Sequence, residues 1–118
     1  CFFSHPQNIV IDDGTSINRQ VHIYGSGGIR IGRKVRIGPG TFFHTANHDL
    51  PRQGDTVIDW KGSYTYCAST ISDFCLLSAH CIILPGVTLF PSSKVAAGVT
   101  LTRGFYNSKG WIVNGKSK

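Results

Sequence analysis

Residues 69–101 read STISDFCLLSAHCIILPGVTLFPSSKVAAGVTL. Large apolar residues recur at Ile71, Leu77, Ile83, Leu89, Val95 and Leu101. Two places before each stands a small or β-branched residue: Ser69, Cys75, Cys81, Val87, Ser93 and Val99. A strict period of six is neither that of a helix nor that of a simple alternating strand. It is the mark of a hexapeptide parallel β-helix, in which six residues build one flat face and three faces close one coil.

The spacing extends toward the N-terminus. The pairs there are Ile9 and Ile11, Thr15 and Ile17, Val21 and Ile23. Two extra residues within Gly25-Ser26-Gly27-Gly28 shift the frame, which resumes with Ile29 and Ile31, Val35 and Ile37, Thr41 and Phe43. All twelve principal positions hold Ile, Leu, Val or Phe; those types make up 33 of 118 residues, so a random frame would fill about three. Residues two apart on a strand share a face, so both members of each pair point inward. Gly14, Gly40, Gly86 and Gly98 occupy equivalent turn positions, where a positive φ costs glycine least. Pro39-Gly40 and Pro85-Gly86 are direct turn signals. Three hexads per coil predict an all-β solenoid of about four coils. Ile11, Ile31, Ile71 and Leu89 form one interior column. Ile17, Ile37, Leu77 and Val95 form a second, and Ile23, Phe43, Ile83 and Leu101 a third.

Residues 44–68 break the pattern with HTANHDLPRQGDTVIDWKGSYTYCA. An interruption of this length in a compact domain is usually functional or disordered. Val57, Ile58, Trp60, Tyr64 and Tyr66 make it too apolar for simple disorder. It is expected to leave the prism as an extruded loop and pack on something, such as a neighbouring subunit. The first six residues are apolar without a clear period. The segment after Leu101, with Trp111, Ile112 and Val113, is expected to cap the open bottom coil.

At 118 residues one domain is expected, spanning 1–118. A chain of this size buries about two-thirds of its unfolded surface, which makes oligomerisation a natural supplement. Twelve Lys and Arg against six Asp and Glu give a net charge of +6. That balance favours anionic partners such as coenzyme phosphates, nucleic acid or acidic glycans. Arg30, Arg33, Lys34 and Arg36 read as solvated outward positions of the repeat. No nucleic-acid motif accompanies them, so no nucleic-acid partner is expected. No run of 18 apolar residues predicts a membrane span, and without a basic-then-apolar leader the expected location is cytoplasmic. Cys75 and Cys81 read as buried small apolar residues. Cys1 and Cys67 lack metal-site spacing.

The repeat, the extruded loop carrying Thr45-Ala46-Asn47-His48, and the later Ile83-Leu84-Pro85-Gly86-Val87-Thr88 together resemble the hexapeptide-repeat acyltransferases. The branch they look most like is that of the galactoside, maltose and polysaccharide O-acetyltransferases. The resemblance covers roughly residues 9–115. It implies a left-handed parallel β-helix, a homotrimer, and acetyl-coenzyme A as cosubstrate. It further implies transfer of an acetyl group to a sugar hydroxyl in sites between adjacent subunits.

Residue by residue, His48 matches the family's catalytic histidine. Ala79 falls where the family aims a backbone N–H at the thioester carbonyl, at once a catalytic and a coenzyme-binding position. Ala97 matches the small residue against which the pantetheine arm lies. Thr102 and Arg103 match the Thr-Lys pair at the coenzyme's nucleotide end, and Lys118 corresponds to a C-terminal basic residue on the 3′-phosphate. His44, Asn47 and His80 are expected to line the acceptor pocket. The chain departs from the family at Ser72, Ser78, Leu84 and Phe90, often Gly there, and at Leu76, where the family has an aromatic residue.

Acetyl transfer needs a base for the acceptor's proton, a donor for the developing oxyanion and a site that holds both substrates. A neutral histidine is suited to the first task near pH 7. The thioester is already activated, so Cys67, Cys75 and Cys81 need not act as nucleophiles. The same fold hosts a zinc family with a His-x4-His pair. His44 and His48 have three residues between them instead of four and lack an acidic partner, so no metal is expected. Two other readings compete: a xenobiotic acetyltransferase of the same fold, and a non-catalytic trimeric scaffold or polyanion-binding module.

Overall fold

A computed structural model describes residues 1–48, 64–107 and 110–114, with His48 and Tyr64 described by their backbone alone. The chain winds through five coils. The first is β1 (Phe2–Ser4), β2 (Ile9–Ile11) and β3 (Ser16–Ile17). The second is β4 (His22–Tyr24), β5 (Ile29–Ile31) and β6 (Arg36–Ile37). The third starts with β7 (Phe42–His44) and is interrupted by an antiparallel hairpin of β8 (Ala46–His48) and β9 (Tyr64–Tyr66). It closes with β10 (Ser69–Ile71) and β11 (Leu76–Leu77). The fourth is β12 (Ile82–Ile83), β13 (Val87–Leu89) and β14 (Lys94–Val95). The fifth is β15 (Thr100–Leu101), β16 (Gly104–Tyr106) and β17 (Trp111–Ile112).

Three parallel sheets of five strands result. Sheet A stacks β1-β4-β7-β12-β15, sheet B stacks β2-β5-β10-β13-β16, and sheet C stacks β3-β6-β11-β14-β17. The three columns expected from the period are the observed registers, such as Ile17 to Ile37 to Leu77 to Val95. Each column is one residue longer than the repeat implied. Phe3 precedes Ile23, Tyr106 follows Leu89, and Ile112 follows Val95. The expected four coils are therefore five. The two end segments are strands of the solenoid rather than a periodless leader and a cap. The bottom coil escapes the hexad because Leu101 and Tyr106 are five residues apart instead of six, and an inward Tyr replaces the aliphatic residue.

The interior closes by alternating two kinds of position. Ile31, Phe43, Ile71, Leu77, Ile83, Leu89, Val95 and Leu101 are fully buried. Between them, where the smaller residue of a pair is Thr, Ser or Cys, its side chain donates to a backbone carbonyl at the corner. Ser69 Oγ donates to the Leu84 carbonyl at 3.2 Å, Cys75 Sγ to Phe90 at 3.2 Å and Cys81 Sγ to Ala96 at 3.2 Å. Each donor lies 15 residues before its acceptor, which is one coil less half a face. The positive-φ glycines expected at the turns are observed at Gly14, Gly40, Gly86 and Gly98.

Irregularity is confined to one corner. Every step from sheet B to C and from C to A is six residues between inward positions. The step from A to B is eight in coils one and two, 28 in coil three (Phe43 to Ile71), six in coil four and five in coil five. Insertions gathered on one side of a solenoid are where such folds carry their binding surfaces. Among the described residues no helix is long and apolar enough to cross a membrane.

Candidate functional site

The hairpin is anchored at the A/B corner by Thr45, whose side chain is fully buried. Its hydroxyl donates to the Tyr24 carbonyl at 2.8 Å and accepts the Gly27 amide at 2.8 Å. Its own carbonyl accepts the Cys67 amide at 2.9 Å, which ties the two ends of the insertion together. A Cβ on Gly27 would run into that carbonyl, so the extra glycines of coil two make room for the hairpin of coil three. Beyond this clamp the register is Ala46 to Tyr66, Asn47 to Thr65 and His48 to Tyr64. Ala46 is buried and Asn47 is exposed. The His48 imidazole, Asp49, Trp60 and Lys118 lie outside what the structure describes.

His44 ends β7 at the foot of the hairpin and is half-buried. Its ring stands edge-on to Tyr24 at 5.6 Å and lies 5.8 Å from Phe42. These rings belong to a continuous run on the outer face of sheet A, where Phe2, His22, Tyr24, Phe42 and His44 contact one another at centroid separations of 5.1 to 6.5 Å. Sequence reasoning missed this surface. Its signal was present: the residues flanking Ile23 and Phe43, which point outward, are all aromatic or histidine rather than polar.

Also at the A/B corner, Gly86 is flanked by Cys67 from above and Arg103 from below. A Cβ there would lie 2.9 Å from both Cys67 Sγ and Arg103 Cγ. Thr102 and Arg103 are exposed, and the Thr102 carbonyl accepts the Tyr106 hydroxyl at 2.6 Å.

The C/A corner holds the other candidates. Arg19-Gln20, Pro39-Gly40, Ala79-His80 and Ala97-Gly98 stack there, one pair per coil. The second amide of each lower pair bonds the first carbonyl of the pair above: Gly40 to Arg19 at 3.1 Å, His80 to Pro39 at 2.9 Å and Gly98 to Ala79 at 2.9 Å. This ladder makes no use of the first amide of each pair. The Ala79 N–H bonds no described acceptor, and Pro39, which has no N–H, fills the same place one coil up. Ala97 is exposed, and nothing lies within 4 Å of where a Cβ on Gly98 would stand. His80 adopts φ 58°, with its ring over Gly40, so a side chain at Gly40 would meet the imidazole.

Within one copy the expected site residues thus fall into two groups. His44, Asn47, His48, Thr102 and Arg103 share the A/B corner; Ala79, His80 and Ala97 share the C/A corner. A sheet A strand with its turns separates them. That is five residues, or about 16 Å at 3.3 Å per residue.

Cys75 and Cys81 are buried, and desolvation raises both thiol pKa values above the ordinary 9.0. They are buried as expected, and the structure adds that they are hydrogen-bond donors. Among the described residues no group of three or more His, Cys, Asp or Glu side chains could hold a metal.

No protein-family model matches the chain. Solved structures do. A hexapeptide-repeat-containing acetyltransferase from Vibrio cholerae O1 biovar eltor, complexed with acetyl-coenzyme A, is 29% identical with a TM-score of 0.82. The alignment covers 97% of this chain and 59% of that one. A second Vibrio cholerae structure, described without the coenzyme, is 28% identical with a TM-score of 0.81, over 97% of this chain and 61% of that one. The chain therefore spans about three-fifths of the length of those proteins. A mutant of AntD, an N-acyltransferase from Bacillus cereus in complex with dTDP and coenzyme A, is 15% identical with a TM-score of 0.63. It covers 93% of this chain and 71% of its own length, and it shows a shared fold alone. The chain is thus similar to hexapeptide-repeat acetyltransferases in both sequence and fold, and its architecture is the parallel β-solenoid on which they are built.

Proposed function

We propose that this chain is an acetyl-coenzyme A-dependent O-acetyltransferase. It acts in the cytoplasm, as a homotrimer, on a hydroxyl of a sugar or polysaccharide precursor. The observation that carries the reading is the unused Ala79 amide, on a corner of small residues, in a chain 29% identical to an acetyltransferase complexed with acetyl-coenzyme A. A backbone N–H that is not spent on the ladder is a preorganised donor for an oxyanion. Small side chains at Ala79 and Ala97 and the open space at Gly98 leave room for a narrow arm along the corner.

In this reading the two groups of site residues meet across a subunit boundary. The A/B corner of one copy faces the C/A corner of the next. His48 in its neutral form takes the proton of the acceptor hydroxyl as that oxygen bonds to the thioester carbonyl carbon. The Ala79 N–H stabilises the resulting oxyanion. Collapse breaks the carbon–sulfur bond, and the proton on His48 passes to the departing sulfur. His44 and Asn47 at the foot of the hairpin and His80 opposite bind the acceptor. Tyr24, Phe42 and His44 offer flat faces beside ring nitrogens, a combination that suits a sugar ring.

The test is coenzyme release as free thiol with acetyl-coenzyme A and a panel of sugars. His48→Ala should lower turnover about 100- to 10,000-fold while coenzyme binding persists. The wild-type rate should rise with pH as the base loses its proton, and that limb should vanish in the variant. Near-wild-type turnover in His48→Ala would remove the general-base role. No coenzyme binding by the wild type would favour the scaffold reading.

A further inference from the structure

On its outer face, sheet C carries one column that the carried-over site does not use. The register runs Ser16, Arg36, Leu76, Lys94, Trp111. Their inward neighbours Ile37, Leu77, Val95 and Ile112 are buried, so this column faces out. Trp111 is 51% exposed, which is unusual for the largest apolar side chain when a polar residue would serve. Lys94 is exposed one strand above it. Two cations elsewhere are paired: Arg30 meets Asp12 at 3.2 Å and Arg33 meets Asp73 at 3.6 Å. Among the described residues Lys94 meets no carboxylate.

The column adjoins the C/A corner. Lys94 lies three residues before Ala97 on the same coil, and Trp111 one coil further down. From Ala79 the line through Ala97 therefore descends toward Lys94 and Trp111. The Trp111 backbone is two strand spacings down and three residues across from Ala79, about 14 Å away. An extended pantetheine arm spans such a distance. The alternative path, down the sheet A side of the same corner, passes Ile82 and Thr100 and, among the described residues, meets no cation before Arg103 at the far corner.

We propose that Lys94 and Trp111 form the dock for the nucleotide end of the coenzyme, with the adenine on the Trp111 indole and phosphate oxygens on the Lys94 ammonium. The assignment rests on the acetyltransferase reading above. It differs from the family carry-over, which gave this role to Arg103 and Lys118. Arg103, across sheet A, then serves the site to which the A/B corner of its own copy contributes. The chemistry is that of any adenine nucleotide site: a flat ring for the base and a flexible point charge for phosphate.

Titration calorimetry on the full chain tests this with coenzyme A, with 3′-dephospho-coenzyme A and with pantetheine. Trp111→Ala should weaken coenzyme A binding about 10-fold or more, as loss of a base–aromatic stack does. Trp111→Phe should keep most of the affinity. Lys94→Ala should weaken it about 5-fold or more, and less so at high salt. Neither variant should change pantetheine binding, which separates a nucleotide dock from a structural defect. Arg36→Ala, with the same charge on the same sheet but above the line of descent, should bind as wild type. Unchanged coenzyme A affinity in both Trp111→Ala and Lys94→Ala, with a wild type that binds, would overturn the dock and leave the acetyltransferase reading standing. A wild type that binds pantetheine but gains nothing from the nucleotide would overturn it equally. A wild type that binds none of the three ligands would remove the acetyltransferase reading and the dock with it.

Discussion

Cys75 and Cys81 show how one side chain meets two demands at a solenoid corner. The space is too small for a leucine, and the Phe90 and Ala96 carbonyls beneath each accept a hydrogen bond from the thiol. A thiol fills the volume and supplies a weak hydrogen bond. Cys75→Ser and Cys81→Ser should therefore fold, as the chain already uses Ser69 and Ser93 at equivalent places. Cys75→Leu should overpack the corner and cost about 1–3 kcal/mol, read from the denaturation midpoint. In the folded protein a thiol reagent should titrate Cys1 and Cys67 and reach the other two only on unfolding. The raised pKa values also have a consequence for stability. Below the ordinary thiol value of 9.0 both thiols are protonated in folded and unfolded chains alike, and they add no pH dependence. Above it the unfolded chain releases protons that the folded chain retains, so stability should fall as pH rises past about 9. A denaturation series from pH 7 to 10 would show it, and the Cys75→Ser, Cys81→Ser double variant should flatten the slope.

At the scale of elements, each strand is too short to be stable alone and gains its stability from the coils above and below. Leu77 is fully buried at the centre of the sheet C column, with Ile37 above and Val95 below. Leu77→Ala should cost about 2–5 kcal/mol, measurable as a lower urea midpoint. A folded variant of unchanged stability would show that the column is not the core. The C/A turn offers a second prediction. A Cβ on Gly38 would lie 2.7 Å from both the Ala79 nitrogen and the Ser78 carbonyl carbon. Backbone cannot yield cheaply there, so Gly38→Ala should displace the Ala79 peptide by a few tenths of an ångström or more. A shift of about 1 Å in a catalytic group can cost about 100-fold in rate. Turnover should fall more than coenzyme affinity does. Equal loss of both would assign Gly38 to general folding instead.

At the scale of the molecule, the exposed rings of sheet A and the separation of the two corners have one explanation. Phe2 and Ile82 are 50% and 38% exposed on a face that also carries His22, Tyr24 and Phe42. Such a contiguous apolar surface marks a contact with something else. In the proposed trimer a neighbouring copy brings its C/A corner to the A/B corner beside this face. Sedimentation should then report a trimer at micromolar concentration. Mixing inactive His48→Ala with inactive Gly38→Ala protein, after dissociation and reassembly, should restore part of the activity, because some interfaces pair one intact corner with the other. A monomer with full activity would rule out the shared site.

The fold was legible because a solenoid repeats its local chemistry. Inward positions recur every six residues, every coil meets the same neighbours, and the registers of Ile17 with Ile37 and Leu77 follow from counting alone. The count failed at the ends, where Tyr106 arrives one residue early and Phe3 stands before the first full pair. There a strand is recruited by the open edge of the coil beside it, and local pattern matters less. The site residues were named from motif resemblance, and sequence spacing did not say which of them lie together. Ala97 and Thr102 are five residues apart, yet an extended strand places them at opposite corners of sheet A. Arg103 and Cys67 are 36 apart, yet both flank the corner at Gly86, because insertions leave the prism at one edge and the coils above and below continue in register. The aromatic face of sheet A and the Lys94–Trp111 column are likewise tertiary facts. Each is assembled from single outward residues one coil apart, and only the stacking of coils brings them into one surface.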